Sequence, residues 1–215
     1  IGVVRDTHSW LSLDGTRYLA LGTDRKLYLY SEGAIYDITP IRETASLTNP
    51  FTTVSGSPIV TVTDATHGAT VGDFVTFDDT TTNNVVDGIE FNNEFEITEI
   101  VDASSYKITY SSNATGSTAS GGGTVTASYQ INVGNSTSTY GYGWGVLTWG
   151  SSTWGTPRSS SSVTLYARQW SLDNFGEDLI ATVLNGETYQ WDTSGGVATR
   201  AVSLGATAPV ASRFS

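Results

Sequence analysis

Apolar and polar residues alternate at a period of two over much of the chain. The longest such run is Val125, Ala127, Tyr129, Ile131 and Val133, with Thr124, Thr126, Ser128, Gln130 and Asn132 between them. Successive side chains of a strand point to opposite faces, so this run predicts a strand with one buried and one wet face. Tyr106, Ile108 and Tyr110 alternate with Lys107 and Thr109, and Phe95 and Ile97 with Glu94, Glu96 and Thr98, in the same way. Shorter runs at residues 59–63 and 74–77 complete the set. No window sustains the three-to-four-residue apolar period of a helix, and the chain reads as all-β.

One internal repeat is legible. The segment from Tyr18 to Ser31 can be laid without gaps on the segment from Leu179 to Asp192, each reading as strand, turn and second strand. The turns fall at Asp24-Arg25 and at Asn185-Gly186. The second pair is a type I′ hairpin signal, in which both central residues take positive φ. A tryptophan precedes each copy, Trp10 in one and Trp170 in the other, and with one residue of slippage the units match from the tryptophan onward. Gly176 supplies a turn in the second copy, and Trp191 ends its last strand. A tryptophan-led strand, a glycine turn and a hairpin have the content of a propeller blade, which needs neighbours to bury its faces. A hairpin of a β-sandwich is the alternative.

Composition changes between the copies. Ten of the 21 acidic residues (Asp64, Asp73, Asp78, Asp79, Asp87, Glu90, Glu94, Glu96, Glu99 and Asp102) lie in residues 45–130, with Lys107 as the one base. This block has its own alternating strands and reads as a small acidic β-barrel or sandwich module inserted into a propeller-like body. The expected organisation is therefore a first unit at 1–44, the insert at 45–130, and a glycine-rich aromatic loop with the second unit at 131–215. Residues 111–123 are flexible by composition. The net charge of -11 argues against sequence-specific DNA reading. No cysteine is present, so disulfides, thiolate metal sites and cysteine catalysis are excluded. Methionine is absent too and the chain begins at Ile1, which suggests a piece of a longer or processed polypeptide. No apolar stretch is long enough to span a bilayer, and no membrane anchor is expected.

Candidate chemistry is sparse. His8 and His67 are the two histidines and stand in no recognisable metal or triad spacing. His67 sits in a turn-like stretch between Thr66 and Asp73, with Gly68 and Gly72 suited to positive φ. Asp78, Asp79, Asp87 and Glu90 could gather around calcium, but the order of a calcium-binding EF-hand loop is missing, and solvated loop acids are the commoner case. No metal, cofactor or catalytic residue is nominated. The best interaction candidates are Trp144, Trp149 and Trp154 with Tyr140 and Tyr142, set among glycines at spacings that match neither strand nor helix. Flat amphipathic rings suit packing between modules or subunits, or a sugar platform.

The run from Trp170 through Asn174-Phe175-Gly176-Glu177-Asp178 to Ala181, followed by Tyr189-Gln190-Trp191-Asp192, resembles a motif of structural proteins of tailed bacteriophages. The tail nozzle or DNA-stabilisation proteins of short-tailed phages are the most similar. The Gly-Trp-Gly and Thr-Trp-Gly-Thr-Pro run within 143–157 fits the same association, and the insert is similar to small β-modules of phage virion proteins. The resemblance implies a propeller-like body assembled as a homo-oligomeric ring, often a hexamer. The ring would lie in the virion tail against portal and adaptor proteins, around a channel for passing DNA. It implies no catalytic residues, and the chain is expected not to be an enzyme. The alternatives are a receptor- or glycan-binding tail fibre or spike and, behind it, a polysaccharide-degrading enzyme.

Overall fold

The computed structural model describes residues 2–78, 85–138 and 166–205. Among them the chain is all-β, with one short 3-10 turn at Thr193–Gly195 and no α-helix. Two compact units divide it: residues 1–36, 134–197 and 204–215 form the first, and residues 37–133 and 198–203 the second. The first unit opens with β1 (Val4–Leu11), β2 (Arg17–Thr23), β3 (Leu27–Ser31) and β4 (Ala34–Asp37), a four-stranded antiparallel meander in chain order. Its middle hairpin turns at Thr23, whose Oγ1 accepts the amides of Arg25 (3.2 Å) and Lys26 (2.8 Å). The next turn has both central residues at positive φ, Glu32 (50°) and Gly33 (88°), which is the type I′ pattern.

The second unit contains β5 (Ile41–Thr48), β6 (Phe51–Thr52), β7 (Ile59–Thr63), β8 (Phe74–Asp78), β9 (Val85–Val86), β10 (Ile89–Glu90), β11 (Glu94–Asp102), β12 (Ser105–Thr109) and β13 (Thr124–Gln130). Seven of these make one antiparallel sheet in the order β5-β13-β8-β11-β12-β7-β6, while β9 and β10 pair by themselves. The alternation read from the sequence sets the faces. Val125, Ala127, Tyr129, Phe95, Ile97, Tyr106 and Ile108 all enter one core, where Phe51 stacks on Phe91 at 3.7 Å and meets Phe77 edge-on at 5.0 Å. The sheet is not closed into a barrel by its ladders. Its ends approach at the isolated bridge Phe51–Gly121, helped by Asn49, whose amide donates to Gly123 O at 2.6 Å.

Two features here differ from the composition. The glycine- and serine-rich stretch 111–123 is held rather than free: Ala114 exchanges backbone hydrogen bonds with Ser57 and Gly56, Gly121 with Phe51, and Thr53 donates to Thr118 O. Ala114 is buried in the core, and this anchorage supplies the order that glycine content alone would deny. The strand β5 carries no strong alternation, yet it pairs with β13 from Thr48–Thr124 to Ile41–Gln130, and that pairing draws it into the second unit. Residues 198–203 return to this unit, where Arg200 bonds Thr39 O at 2.8 Å and lies 3.3 Å from Asp37 and 3.8 Å from Glu94.

Back in the first unit, β14 (Trp170–Phe175), β15 (Asp178–Val183) and β16 (Thr188–Trp191) form a second antiparallel meander. The repeat is real as two meanders but not residue for residue. Val183 donates to Glu187 O and Gly186 to Val183 O, so the loop holds Leu184, Asn185 and Gly186, one residue more than the loop at Asp24-Arg25. Every position after the loop is displaced by one, which makes the buried Trp191 the counterpart of buried Ser31 rather than of exposed Tyr30. Of the two expected turn residues, only Asn185 takes positive φ (57°), at the third turn position, as in type II. The expected type I′ turn is thus replaced, because the i→i+3 bond starts at Val183 and centres the turn on Leu184-Asn185.

A buried polar cluster ties the second unit together and sets its response to alkali. The Tyr129 hydroxyl donates to Asp64 Oδ2 at 2.6 Å and lies 3.0 Å from the Tyr106 hydroxyl. Burial first, then the neighbouring phenol and carboxylate, hold Tyr129 well above the ordinary tyrosine range; burial does the same for Tyr106. Raised folded-state values favour the neutral phenols. Their stabilisation is therefore whole below the unfolded value of about 10 and falls as pH rises beyond it. Tyr129→Phe is expected to cost about 1–3 kcal/mol in urea unfolding because Asp64 loses its donor. Tyr106→Phe, which leaves that bond in place, is expected to cost less.

Candidate interaction site

The first unit is organised by its tryptophans. Trp10 on β1, Trp170 on β14 and Trp191 on β16 are all buried. The Trp10 ring lies 6.2 Å from Trp191 and 5.3 Å from Tyr18, and Tyr18 meets Trp191 edge-on at 5.4 Å. A buried indole N–H needs an acceptor, and each leading tryptophan finds one on the other meander. Trp10 Nε1 donates to Glu177 O at 2.8 Å, in the turn between β14 and β15. Trp170 Nε1 donates to Thr23 O at 2.7 Å, at the end of β2. Gly22 makes room for the second contact, since a Cβ there would stand 2.6 Å from Trp170 Cγ.

Polar groups register the same seam. Asp6 Oδ2 accepts the Leu172 amide at 3.0 Å, and His8 Nε2 lies 2.9 Å from Asn174 Oδ1. Asn174 spends its Nδ2 on Gly176 O at 2.9 Å, so its oxygen faces His8 and the His8 Nε2 carries the proton. Glu177 also accepts the Leu13 amide at 2.7 Å and the Ser12 hydroxyl. Sequence reading passed over Glu177. The signal that points to it is Gly176 beside it, at φ 67°, which forms the turn that aims both its carbonyl and its carboxylate at β1 and the following turn.

The hydrogen-bonding phase of the ladders shows which faces meet. For L-residues, those that bond to a neighbour on a given side of a strand point their side chains to one fixed face. Ser12 bonds Thr16, so Trp10, two positions earlier and opposite Tyr18, belongs to the bonding set of β1 towards β2. Leu184 bonds Gln169, so Trp170, one position later and opposite Val183, belongs to the non-bonding set of β14 towards β15. The two meanders therefore meet through faces of opposite kind. This also corrects the tryptophan alignment: Trp10 and Trp170 lie on unlike faces and at different levels of their strands, and are not equivalent residues.

The other candidates are placed as follows. Trp144, Trp149, Trp154, Tyr140 and Tyr142 lie outside the described residues, as does Asp79. Asp78 is exposed at the end of β8. Asp87 and Gly88 take positive φ (49° and 79°) in the tight turn between β9 and β10, and Asp87 Oδ2 accepts the Thr53 hydroxyl at 2.5 Å. Among the described residues no three acids or histidines converge as metal ligands would. Both nitrogens of His67 are engaged: Nδ1 accepts the Ala69 amide and Nε2 faces Asp102 O, each at 3.1 Å. Asp73 accepts the amides of Thr70 and Val133, both at 2.7 Å, which makes this stretch a braced turn.

Gly22→Ala is expected to destabilise the first unit by about 1–3 kcal/mol, because the added methyl must displace Trp170. In a Trp170→Leu background the same change should cost less by about 1 kcal/mol or more, read from a thermodynamic cycle of denaturant midpoints.

No family model matches the chain, and no curated protein matches it. A solved structure to which it is similar is the phage phi92 endosialidase, with 14% identity over 94% of this chain and a TM-score of 0.37. The chain spans 28% of that protein's length. At that score the likeness assigns neither activity nor substrate. It does correct one expectation: the reading of this chain as not an enzyme is withdrawn, since the similar structure is named for an enzyme and no described residue argues the other way.

Proposed function

We propose that the chain is a building block of a bacteriophage tail, in the nozzle or head-to-tail region, stacked with other modules into a wall around the DNA path. The observation that carries this reading is the meeting of unlike faces in the first unit. A contact between unlike faces does not close on itself, because each added module leaves one open face of each kind. Such a module suits a ring or column. The motif from Trp170 to Ala181 with Tyr189-Gln190-Trp191-Asp192 supports the phage setting by its resemblance to tail proteins.

The acidic second unit fits the same role. Glu96, Glu99 and Asp102 are exposed along β11, with Lys107 paired to Glu99 at 3.0 Å. An acidic wall repels a phosphate backbone and lets it slide, where a basic wall would retain it. The proposal concerns the place of the chain in a particle and is independent of any catalysis.

Antibody against the chain, gold-labelled on intact virions, should mark the neck or tail tube, and the purified chain should pass through DNA-cellulose at low salt. Label confined to fibre tips, or tight salt-sensitive retention on DNA, would overturn the reading.

A further inference from the structure

The first unit leaves two faces uncovered by its own seam, and they differ in character. On the first meander, Leu11, Leu19, Leu21 and Tyr30 share the face opposite Trp10, with Arg17 beside Leu11. Leu11 is 61% exposed, Tyr30 41%. The one acidic strand position on that side, Asp37 at the end of β4, is already paired with Arg200 at 3.3 Å. On the second meander the face opposite Trp170 presents Asp173, Phe175, Asp178 and Ile180 and no base. Phe175 is 78% exposed there. One face is apolar with a cation, the other acidic with an apolar knob.

These two faces are of the kinds that already meet inside the unit: the bonding-set face of one meander and the non-bonding-set face of the other. We propose that a second copy of this chain docks there, the Phe175 face of one copy on the Tyr30 face of the next, repeating the internal stacking head to tail. The proposal rests on the building-block reading above and deepens it by naming the contact. Charge favours the unlike contact, since Arg17 on one face meets the exposed Asp173 on the other, while two Phe175 faces would set acid against acid and two Tyr30 faces would set Arg17 against Arg17. Large exposed apolar side chains on a sheet face are the expected anchors of such a contact.

Sedimentation velocity of the 215-residue chain tests it. The wild-type chain should form species larger than a dimer as its concentration rises. Tyr30→Asp and Phe175→Asp should each remain monomeric, each retaining one working face. Mixed in equal amounts, the two variants should give a dimer and nothing larger, because one working face of each kind is then present. Thermal unfolding of each variant shows whether it has folded; a variant that has not is replaced by Tyr30→Ser or Phe175→Ser. A monomeric wild-type chain, a dimer that grows no further, or a mixture that stays monomeric would overturn the proposal. None of those results bears on the virion labelling, which can fail or succeed by itself.

Discussion

Burying an indole ring without an acceptor for its N–H leaves a donor unsatisfied at a cost of about 1–3 kcal/mol. The two leading tryptophans of the first unit avoid it by using the other meander, while the buried Trp191 indole finds no acceptor among the described residues. Trp10 cannot be both buried and hydrogen-bonded unless the β14–β15 turn brings Glu177 O over it. Trp170 depends in the same way on Thr23 O and on the missing side chain of Gly22. Each meander thus completes the other, and neither alone offers its tryptophan a partner. The aromatic group of Trp10, Tyr18 and Trp191 supplies the apolar burial that holds the seam.

The second unit solves a different problem. Its sheet wraps around a dense aromatic centre and keeps a hydroxyl–hydroxyl–carboxylate chain, Tyr106, Tyr129 and Asp64, inside it. Such a chain is tolerable because it is satisfied, and it fixes the turn that follows β7 relative to β13 and β12. Arg42 extends the cluster, its guanidinium carbon 5.3 Å from the Tyr129 ring and its Nη2 on His67 O at 2.5 Å. The second unit is thus braced by polar contacts as well as by apolar packing.

Much of this architecture is legible from alternation alone. The strands at Val125 to Tyr129, Phe95 to Ile97 and Tyr106 to Ile108 bury the residues that a period of two assigns to the core. Two meanders also follow from the repeat. What pattern could not convey is phase: a single extra loop residue at Leu184 to Gly186 moves Trp191 from the position of Tyr30 to that of Ser31, and letter-by-letter matching hides the shift. Pairing Trp10 with Trp170 by their shared identity likewise misses that they occupy unlike faces, because the face is set by hydrogen-bond phase rather than by residue type. Residue type does not mark Glu177 as the cap of Trp10, since the capping group is a backbone carbonyl that every residue carries; only Gly176 beside it signals the turn. Stretch 111–123 shows the converse, a loop whose glycine content signals freedom but whose backbone partners, Phe51, Ser57 and Thr53, lie far away in sequence.

Each leading tryptophan is capped by the opposite meander, and indole N–H hydrogen exchange followed by nitrogen-15 NMR reads that capping directly. The Trp10 and Trp170 indole protons should exchange slowly and together, with one protection equal to that of the β1, β2 and β14 amides, as expected for a single cooperative unit. Exchange of either indole at the rate of a free side chain, or protection of one that is independent of the other, would contradict it.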